Sequence, residues 1–469
     1  MFVIVLLFPL LFLACGEAEL KVHDEEYERR YNEEQELRYN YRLLKAYFYH
    51  PEKIKEYEAY KGMEVDTMYK SLKDYFCGVH YEGSLEDCPS RYTRYYPPEK
   101  SDNEIGNIEN TKRYYSFGFQ RETEKKSGDT MIVWWVYPNS PANSAGLRKK
   151  DKLLSANEKS LIGLTSADLA AYLKNDDPFE DKTVFTVLRD GKTKILDPMQ
   201  KAEVPDPTVY LDSLEGVPYI RVYTFKVSTN HPRGTYYEFN EILKEIKGAK
   251  VAIMDLRSNG GGNIWHCTAM ASELVPSKNT LLLYDVEHYY DSRSGKNRVD
   301  AFPDYAGNYL CKDGVCKEAE GKDIKWIVLI NKGSASCSER LLAAVKYNRP
   351  ETVVIGQKSY GKGIGQIYTK TYLGGLAYIT CLQTFYPNGE TFHNIGIIPD
   401  PNMLAKPTDP YAIDIYDKVV EAIQGFGGLA KRSPTSVISG TLPPERLPEN
   451  NMEPGAYKKI EQPLFHQWE

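Results

Sequence analysis

Three short stretches of this chain bring together residue types that could do covalent chemistry. In Gly333-Ser334-Ala335-Ser336-Cys337-Ser338-Glu339, Ser336 opens a predicted helix, and Ser-x-x-Glu fits a capping box, whose hydroxyl and carboxylate take up free N–H groups at a helix start. Capping is the common role of such a tetrapeptide. The same position also places a hydroxyl where the helix dipole and the Cys337 N–H would stabilise a developing oxyanion, so it suits a nucleophile. In Gly361-Lys362-Gly363-Ile364-Gly365-Gln366 the glycines let the backbone pass close to other chain, and in an extended segment Lys362 and Gln366 project from one face. A serine needs a base, and a lysine serves when burial keeps its amine neutral near working pH. Lysines are common in this chain, so Lys362 carries no weight in isolation. Finally, Asn259-Gly260-Gly261-Gly262 stands at a predicted strand-to-helix turn and could turn a second N–H toward the same oxyanion. A plain tight turn or a phosphate loop are the alternatives. The latter is disfavoured, because neither G-x-x-x-x-G-K-[ST] nor G-x-G-x-x-G occurs.

These stretches need elements to hold them. Apolar runs over residues 251–256 and 326–330 are each followed by a turn and a predicted helix, over 263–275 and 337–348, which indicates an α/β core of buried strands covered by helices. Residues 114–196 have a different texture, with short β-branched or aromatic strands around one helix at 166–174. Residues 20–75 are charged and Tyr-rich, and the spacing of Leu37, Tyr41, Leu44, Tyr47 and Phe48 predicts helices that form an N-terminal domain or tether. The linkers fall at 99–111 and around Pro205 and Pro207. Residues 276–322 carry no clear pattern, and the tail beyond Lys406 reads as a helix followed by extended chain.

Taken in order, Asp255-Leu256-Arg257-Ser258-Asn259-Gly260-Gly261-Gly262, the Ser336 stretch and the Lys362 stretch resemble the carboxyl-terminal processing (tail-specific) protease family. The resemblance begins at Tyr92-Thr93-Arg94-Tyr95, continues in Pro387-Asn388-Gly389-Glu390 and Gly396-Ile397-Ile398-Pro399-Asp400, and covers residues 90–400. It implies Ser336 as nucleophile, Lys362 as general base and Gln366 as the residue that orients the lysine. It also implies an oxyanion hole from the Cys337 N–H and one of Gly260, Gly261 and Gly262, on a crotonase/ClpP-like core without cofactor or metal. Two departures stand out: Cys337 replaces the usual alanine, and the stretch from Ser336 to Lys362 is one residue longer than usual. A backbone N–H does not depend on its side chain, and residues 348–350 can absorb the extra length.

Ser116-Phe117-Gly118-Phe119 and residues 140–151 are similar to the two signatures of a PDZ domain. The first implies a carboxylate-binding loop, with Phe117, Gly118, Phe119, Leu169 and Leu173 bordering a peptide groove; the second is a turn and short helix whose role is packing. The expected fold class is therefore multidomain α+β: signal peptide at 1–15, N-terminal helical region at 16–112, PDZ-like β-rich domain at 113–200, α/β crotonase/ClpP-like protease core at 203–405 and tail at 406–469.

Composition narrows the partners. A net charge of -6 with both signs interspersed leaves no basic stripe for nucleic acid. Thirty-seven tyrosines could line peptide-binding surfaces, although tyrosine also packs ordinary half-buried elements. The apolar start ends in Leu13-Ala14-Cys15, which reads as the core of a signal peptide and resembles a bacterial lipobox. This implies export to the cell envelope with a lipid on Cys15, despite the lack of a basic residue before the run and Phe12 in place of the usual leucine. In such a compartment Cys77/Cys88 and Cys311/Cys316 are close enough in sequence to form local disulfides, whereas Cys267, Cys337 and Cys381 lie in apolar stretches and read as free and buried. No CxxC or HExxH spacing supports zinc. The expected partners are protein or peptide substrates with exposed C-terminal tails. Two rivals remain: a non-catalytic peptide-binding envelope protein, and a Ser-His-Asp hydrolase using His266 or His393, which lacks a G-x-S-x-G elbow.

Overall fold

Both apolar runs form central strands, and their alternation explains the layers on either side. A computed structural model describes residues 8–80, 88–124, 130–164, 168, 182–291, 293–405, 413–427 and 455–459. Val251–Asp255 and Lys325–Ile330 lie side by side and parallel, with Asp255 opposite Leu329. They occupy the middle of a five-stranded sheet completed by Val209–Leu214, Val217–Val222 and Val353–Gly356, parallel except for the first pair. Successive side chains on a strand point to opposite faces. Ala252, Met254 and Val328 accordingly join the large core that includes residues of helices Thr235–Glu245, Ile264–Ser272 and Cys337–Asn348. Ile253, Ile327 and Leu329 pack against Ile415, Val419 and Ile423 of helix Ile413–Gly425.

A second sheet has the spatial order Gly261–Asn263, Gly455–Lys459, Ile364–Lys370, Leu376–Phe385, Leu281–Asp291, Lys296–Tyr305, and Arg94–Tyr96 pairs with Leu376–Phe385. The last two strands of that order form a long hairpin and account for much of the 276–322 segment that had no sequence assignment. The N-terminal region is not a separate unit. Leu43, Leu44 and Phe48 of the first helix and its end, with Met68 and Leu72 of helix Val65–Tyr75, share one core with Ala377 and Ile379 of the second sheet.

The PDZ-like region has its own sheet, in the order Phe119–Glu124, Thr130–Val136, Lys152–Ala156, Phe185–Arg189, Lys192–Ile195, and its own core around Phe117, Leu153, Phe185 and Val187. Chain enters and leaves it through one short ladder, Arg113–Ser116 against Ala202–Pro205. The 140–151 signature packs as expected: Ser140 caps helix Pro141–Ser144, and Ala142 and Leu147 enter the core. Phe117 is buried against Phe185. Gly118 donates its N–H to Ser116 Oγ at 3.2 Å, and a Cβ there would meet Ser140 Cβ at 2.3 Å. Phe119 is half-buried on what is the edge strand among the described residues, while Leu169 and Leu173 lie outside them.

Cysteine pairing follows proximity. Cys77–Cys88 and Cys311–Cys316 are disulfides, the second closing a hairpin whose turn residues Asp313 and Gly314 both have positive φ, as an Asp-Gly turn requires. Cys381 is a buried thiol outside these disulfides. Cys267 and Cys337, expected to be free, face each other as a third pair, because neighbouring helices bring together residues 70 apart in sequence.

Candidate active site

The Ser336 turn is bolted to the glycine loop before any side-chain chemistry enters. Asp255 is buried and ion-paired with Arg221 and Arg257, at 2.5 and 2.7 Å, at the end of its strand. Although burial alone would raise its pKa, these two guanidiniums and the bonds from Arg257 and Tyr219 hold the carboxyl well below the usual range. The Asn259 carbonyl then accepts the Ala335 N–H at 3.0 Å and the Ser338 hydroxyl at 2.8 Å, while its side chain ties back to the Val222 carbonyl at 3.0 Å. Gly262 has no alternative at its position, since a Cβ would lie 2.1 Å from the Phe225 carbonyl oxygen.

Ser336 is the N-cap of helix Cys337–Asn348 and has φ 58° and ψ -112°, a region that costs a non-glycine residue about 1–3 kcal/mol. Only half of the expected capping box operates. Glu339 reaches back to accept the Ser336 N–H at 2.8 Å, but the Ser336 hydroxyl is buried and makes no hydrogen bond. It lines a cavity whose other walls include Lys362, Gly363, Ile364, Gly365 and Ile264. The cavity holds about 10 Å³, room for roughly one water.

Lys362 is 2 % exposed, and its Nζ donates to Gln366 Oε1 at 2.8 Å. Gln366 is in turn held by its Nε2 donating to Thr380 Oγ1 at 3.3 Å. The Tyr92 ring lies under the amine, 4.6 Å from Nζ to the ring centroid, and Thr93 Oγ1 accepts the Thr380 N–H at 3.0 Å. The Tyr92-Thr93-Arg94-Tyr95 stretch therefore braces the lysine and its glutamine from behind.

Glu339 has a second role that its capping pattern conceals. Its carboxylate also accepts the Lys362 N–H at 2.8 Å, the Gly361 N–H at 2.6 Å and the Ser359 hydroxyl at 2.6 Å. One buried side chain thus ties the serine turn to the lysine segment. Burial pushes its carboxyl pKa up, against the bonds from Ser359, Gly361, Ser336 and Lys362. Arg340 also lines the cavity, but its guanidinium is committed to Asp285 at 2.6 Å, Thr384 at 2.8 Å, Thr268 at 2.9 Å and Asp304.

Among the oxyanion candidates, Cys337 stands at the first helical position, where an N–H has no partner within its own helix. Gly261 drops out, because its N–H is already donated to Asn259 Oδ1 at 2.9 Å. That leaves Gly260 and Gly262 as the glycine donors.

Neither rival histidine lines the Ser336 cavity. His393 Nδ1 accepts the Gly363 N–H at 3.3 Å, and His266 Nδ1 accepts the Tyr236 N–H at 3.1 Å. Burial lowers the His266 pKa from 6.5 to about 4. A histidine held neutral in this way contributes stability in full above pH 6.5, and that contribution, roughly 3 kcal/mol, is lost as pH falls toward 4. Thermal melts between pH 7 and 4.5 should therefore show a steeper acid loss for the wild type than for His266→Asn; equal slopes would contradict the assignment.

Among the described residues His50, Glu52 and His288 could offer three metal-ligand atoms within 4.8 Å of one another, and none of the three lines the Ser336 cavity.

Comparison with known proteins matches residues 216–403 to the family model described as peptidase family S41, and residues 116–197 to that of a PDZ domain. Over residues 216–403 the chain is similar to peptidase family S41. The matched peptidase region takes in the glycine loop, the serine turn and the lysine segment, and the PDZ match starts at Ser116, on the first of the two signatures. A probable CtpA-like serine protease of Staphylococcus haemolyticus (strain JCSC1435) is 24% identical over 384 residues, covering 80% of this chain and 71% of that protein. One of Staphylococcus aureus (strain bovine RF122 / ET3-1) is 27% identical over 349 residues, covering 73% and 62%. The chain thus spans less than two thirds of the length of the second of these relatives. A solved photosystem II D1 C-terminal processing protease aligns with 80% of this chain and 93% of its own, at 19% identity and a TM-score of 0.40.

Proposed function

We propose that this chain is an endopeptidase in which Lys362 serves Ser336 as general base. The observation that carries the reading is a buried serine hydroxyl without a hydrogen bond, sharing its small cavity with a buried lysine whose amine is held by Gln366. The amine must be neutral to act, and removal from water favours its neutral form. Lys362 takes the Ser336 proton as Oγ attacks a peptide carbonyl carbon. The Cys337 N–H and a glycine N–H from Gly260 or Gly262 receive the oxyanion. The ammonium returns the proton to the leaving amine, the peptide bond breaks and an acyl-serine remains. Water, deprotonated by the same amine, then releases the acid and restores the serine. Lys362 functions here as the catalytic base and Gln366 as a positioning residue.

The PDZ domain supplies an edge strand, Phe119–Glu124, beside the Gly118 loop, and an extended peptide can add to such an edge. Exposed apolar C-terminal tails are the substrates this arrangement favours. An unstructured protein with an apolar tail should be cleaved several-fold faster, by kcat/KM, than the same protein ending in two aspartates; equal rates would remove tail selection and leave the chemistry untouched. The two local disulfides favour an exported setting, with Cys15 as the candidate lipid anchor. Membrane fractionation of wild type and Cys15→Ala tests that part.

The reaction itself is tested by digesting an unstructured protein with wild type and Ser336→Ala and identifying fragments by mass spectrometry. Internal cleavage by the wild type alone is expected. Identical fragments from both would reject Ser336, and no cleavage by either would favour the non-catalytic binding protein.

A further inference from the structure

Two strand edges flank the Ser336 cavity without touching each other. One is Gly261–Asn263 of the glycine loop, and the other is Ile364–Lys370, which carries Gln366 and follows Lys362. Neither pairs with the other; both pair with Gly455–Lys459, near the end of the chain, which lies between them and runs parallel to each. The register sets Gly262 opposite Ala456, Asn263 opposite Tyr457, Gln366 opposite Tyr457 and Ile367 opposite Lys458. Tyr457 therefore has ladder partners on both sides. Ile264, next after the first edge, and Gly365 of the second strand line the cavity that holds Ser336 and Lys362.

A gap closed by two ladders is about 9.6 Å across, which admits one extended backbone. Each edge offers N–H and C=O groups that any extended peptide can satisfy, whatever its side chains. A peptide to be cut by Ser336 needs its backbone fixed against the oxyanion donors, and the glycine edge belongs to the same loop as those donors. We infer that this gap is the strand slot for the substrate and that Gly455–Lys459 occupies it in the resting enzyme, so that a substrate must displace the chain's own C-terminal segment. The inference rests on Ser336 and Lys362 as the reacting pair.

Because the occupant belongs to the same chain, its competition is intramolecular, at an effective concentration on the order of 1 mM. Against a site with a peptide Kd of about 0.1 mM the slot would be filled roughly nine-tenths of the time, and emptying it would raise kcat/KM about tenfold. The small cavity around Ser336 fits an occupied slot.

The test uses the full chain with Tyr457→Pro, since proline lacks the ladder N–H and is excluded from central strands, and Lys458→Pro as a second variant. Both should show kcat/KM raised on the order of tenfold, chiefly through a lower KM. A synthetic peptide copying residues 453–461 should inhibit them competitively. Hydrogen exchange, measured in a Ser336→Ala background so that no cleavage intervenes, should show faster exchange over residues 364–370 when Tyr457→Pro or Lys458→Pro is added. Unchanged exchange in both variants overturns the inference whatever the activity. Faster exchange in these variants, together with a wild type that cuts nothing, would uphold the tail's place in the slot while rejecting the Ser336/Lys362 reading.

Discussion

Lys362→Met is expected to lower kcat by about 10²- to 10⁴-fold, the range that a positioned general base supplies. Methionine keeps an unbranched apolar stem in the space beside Tyr92 and removes the amine. Ser336 would keep its turn, its Glu339 anchor and the Cys337 N–H, so substrate binding should survive while proton removal fails. The kinetic signature is a fall in kcat with KM nearly unchanged. Gln366 Oε1 loses the donor that now lies at 2.8 Å, so some stability should go with it, about 1–3 kcal/mol. A variant with turnover within tenfold of wild type would show that another group takes the serine proton. Gln366→Ala should have a smaller effect, because it leaves the base present and only loosens its aim.

The other large effect is expected at Glu339, a residue that touches no reacting atom. Glu339→Ala would strand four donors at once: the N–H groups of Ser336, Gly361 and Lys362 and the Ser359 hydroxyl. An unsatisfied buried donor costs about 1–3 kcal/mol, so the summed loss should reach several kcal/mol, a large share of a typical domain's stability. Activity should fall with it, because this carboxylate sets the distance between the serine turn and the lysine segment. Ser359→Ala, which removes one of the four, separates the two consequences. It should lower Tm modestly and leave kcat close to wild type. Full activity and an unchanged melt for Glu339→Ala would refute the bracing role.

The contrast between these two positions shows what the sequence could reveal. Local signals were readable: continuous apolar runs marked the central strands, an Asp-Gly pair marked the Cys311/Cys316 hairpin, and glycines marked both loops that approach Ser336. The three chemical stretches were joined into one site through their resemblance, taken in order, to the tail-specific protease family. Glu339 escaped because the capping box already explained it three residues from Ser336, and nothing local records its bonds to residues 359–362. Gly261 looked equivalent to its neighbours until Asn259 claimed its N–H. Cys267 and Cys337 meet only because two helices pack side by side. Residues 455–459 contain glycine and two lysines and lack an alternating apolar pattern, so their strand exists only through the two edges that receive it. In each of these cases the missing information was a long-range contact.

The location of a covalent adduct tests the central claim most directly. Wild-type enzyme is incubated with a fluorophosphonate at neutral to mildly alkaline pH, digested, and every modified serine is mapped by mass spectrometry, with Lys362→Met treated in parallel. The account predicts a single phosphonylated residue, Ser336, in the wild type and none at that position in Lys362→Met under the same conditions. An adduct on another serine, with Ser336 unmodified and cleavage intact in Ser336→Ala, would contradict it.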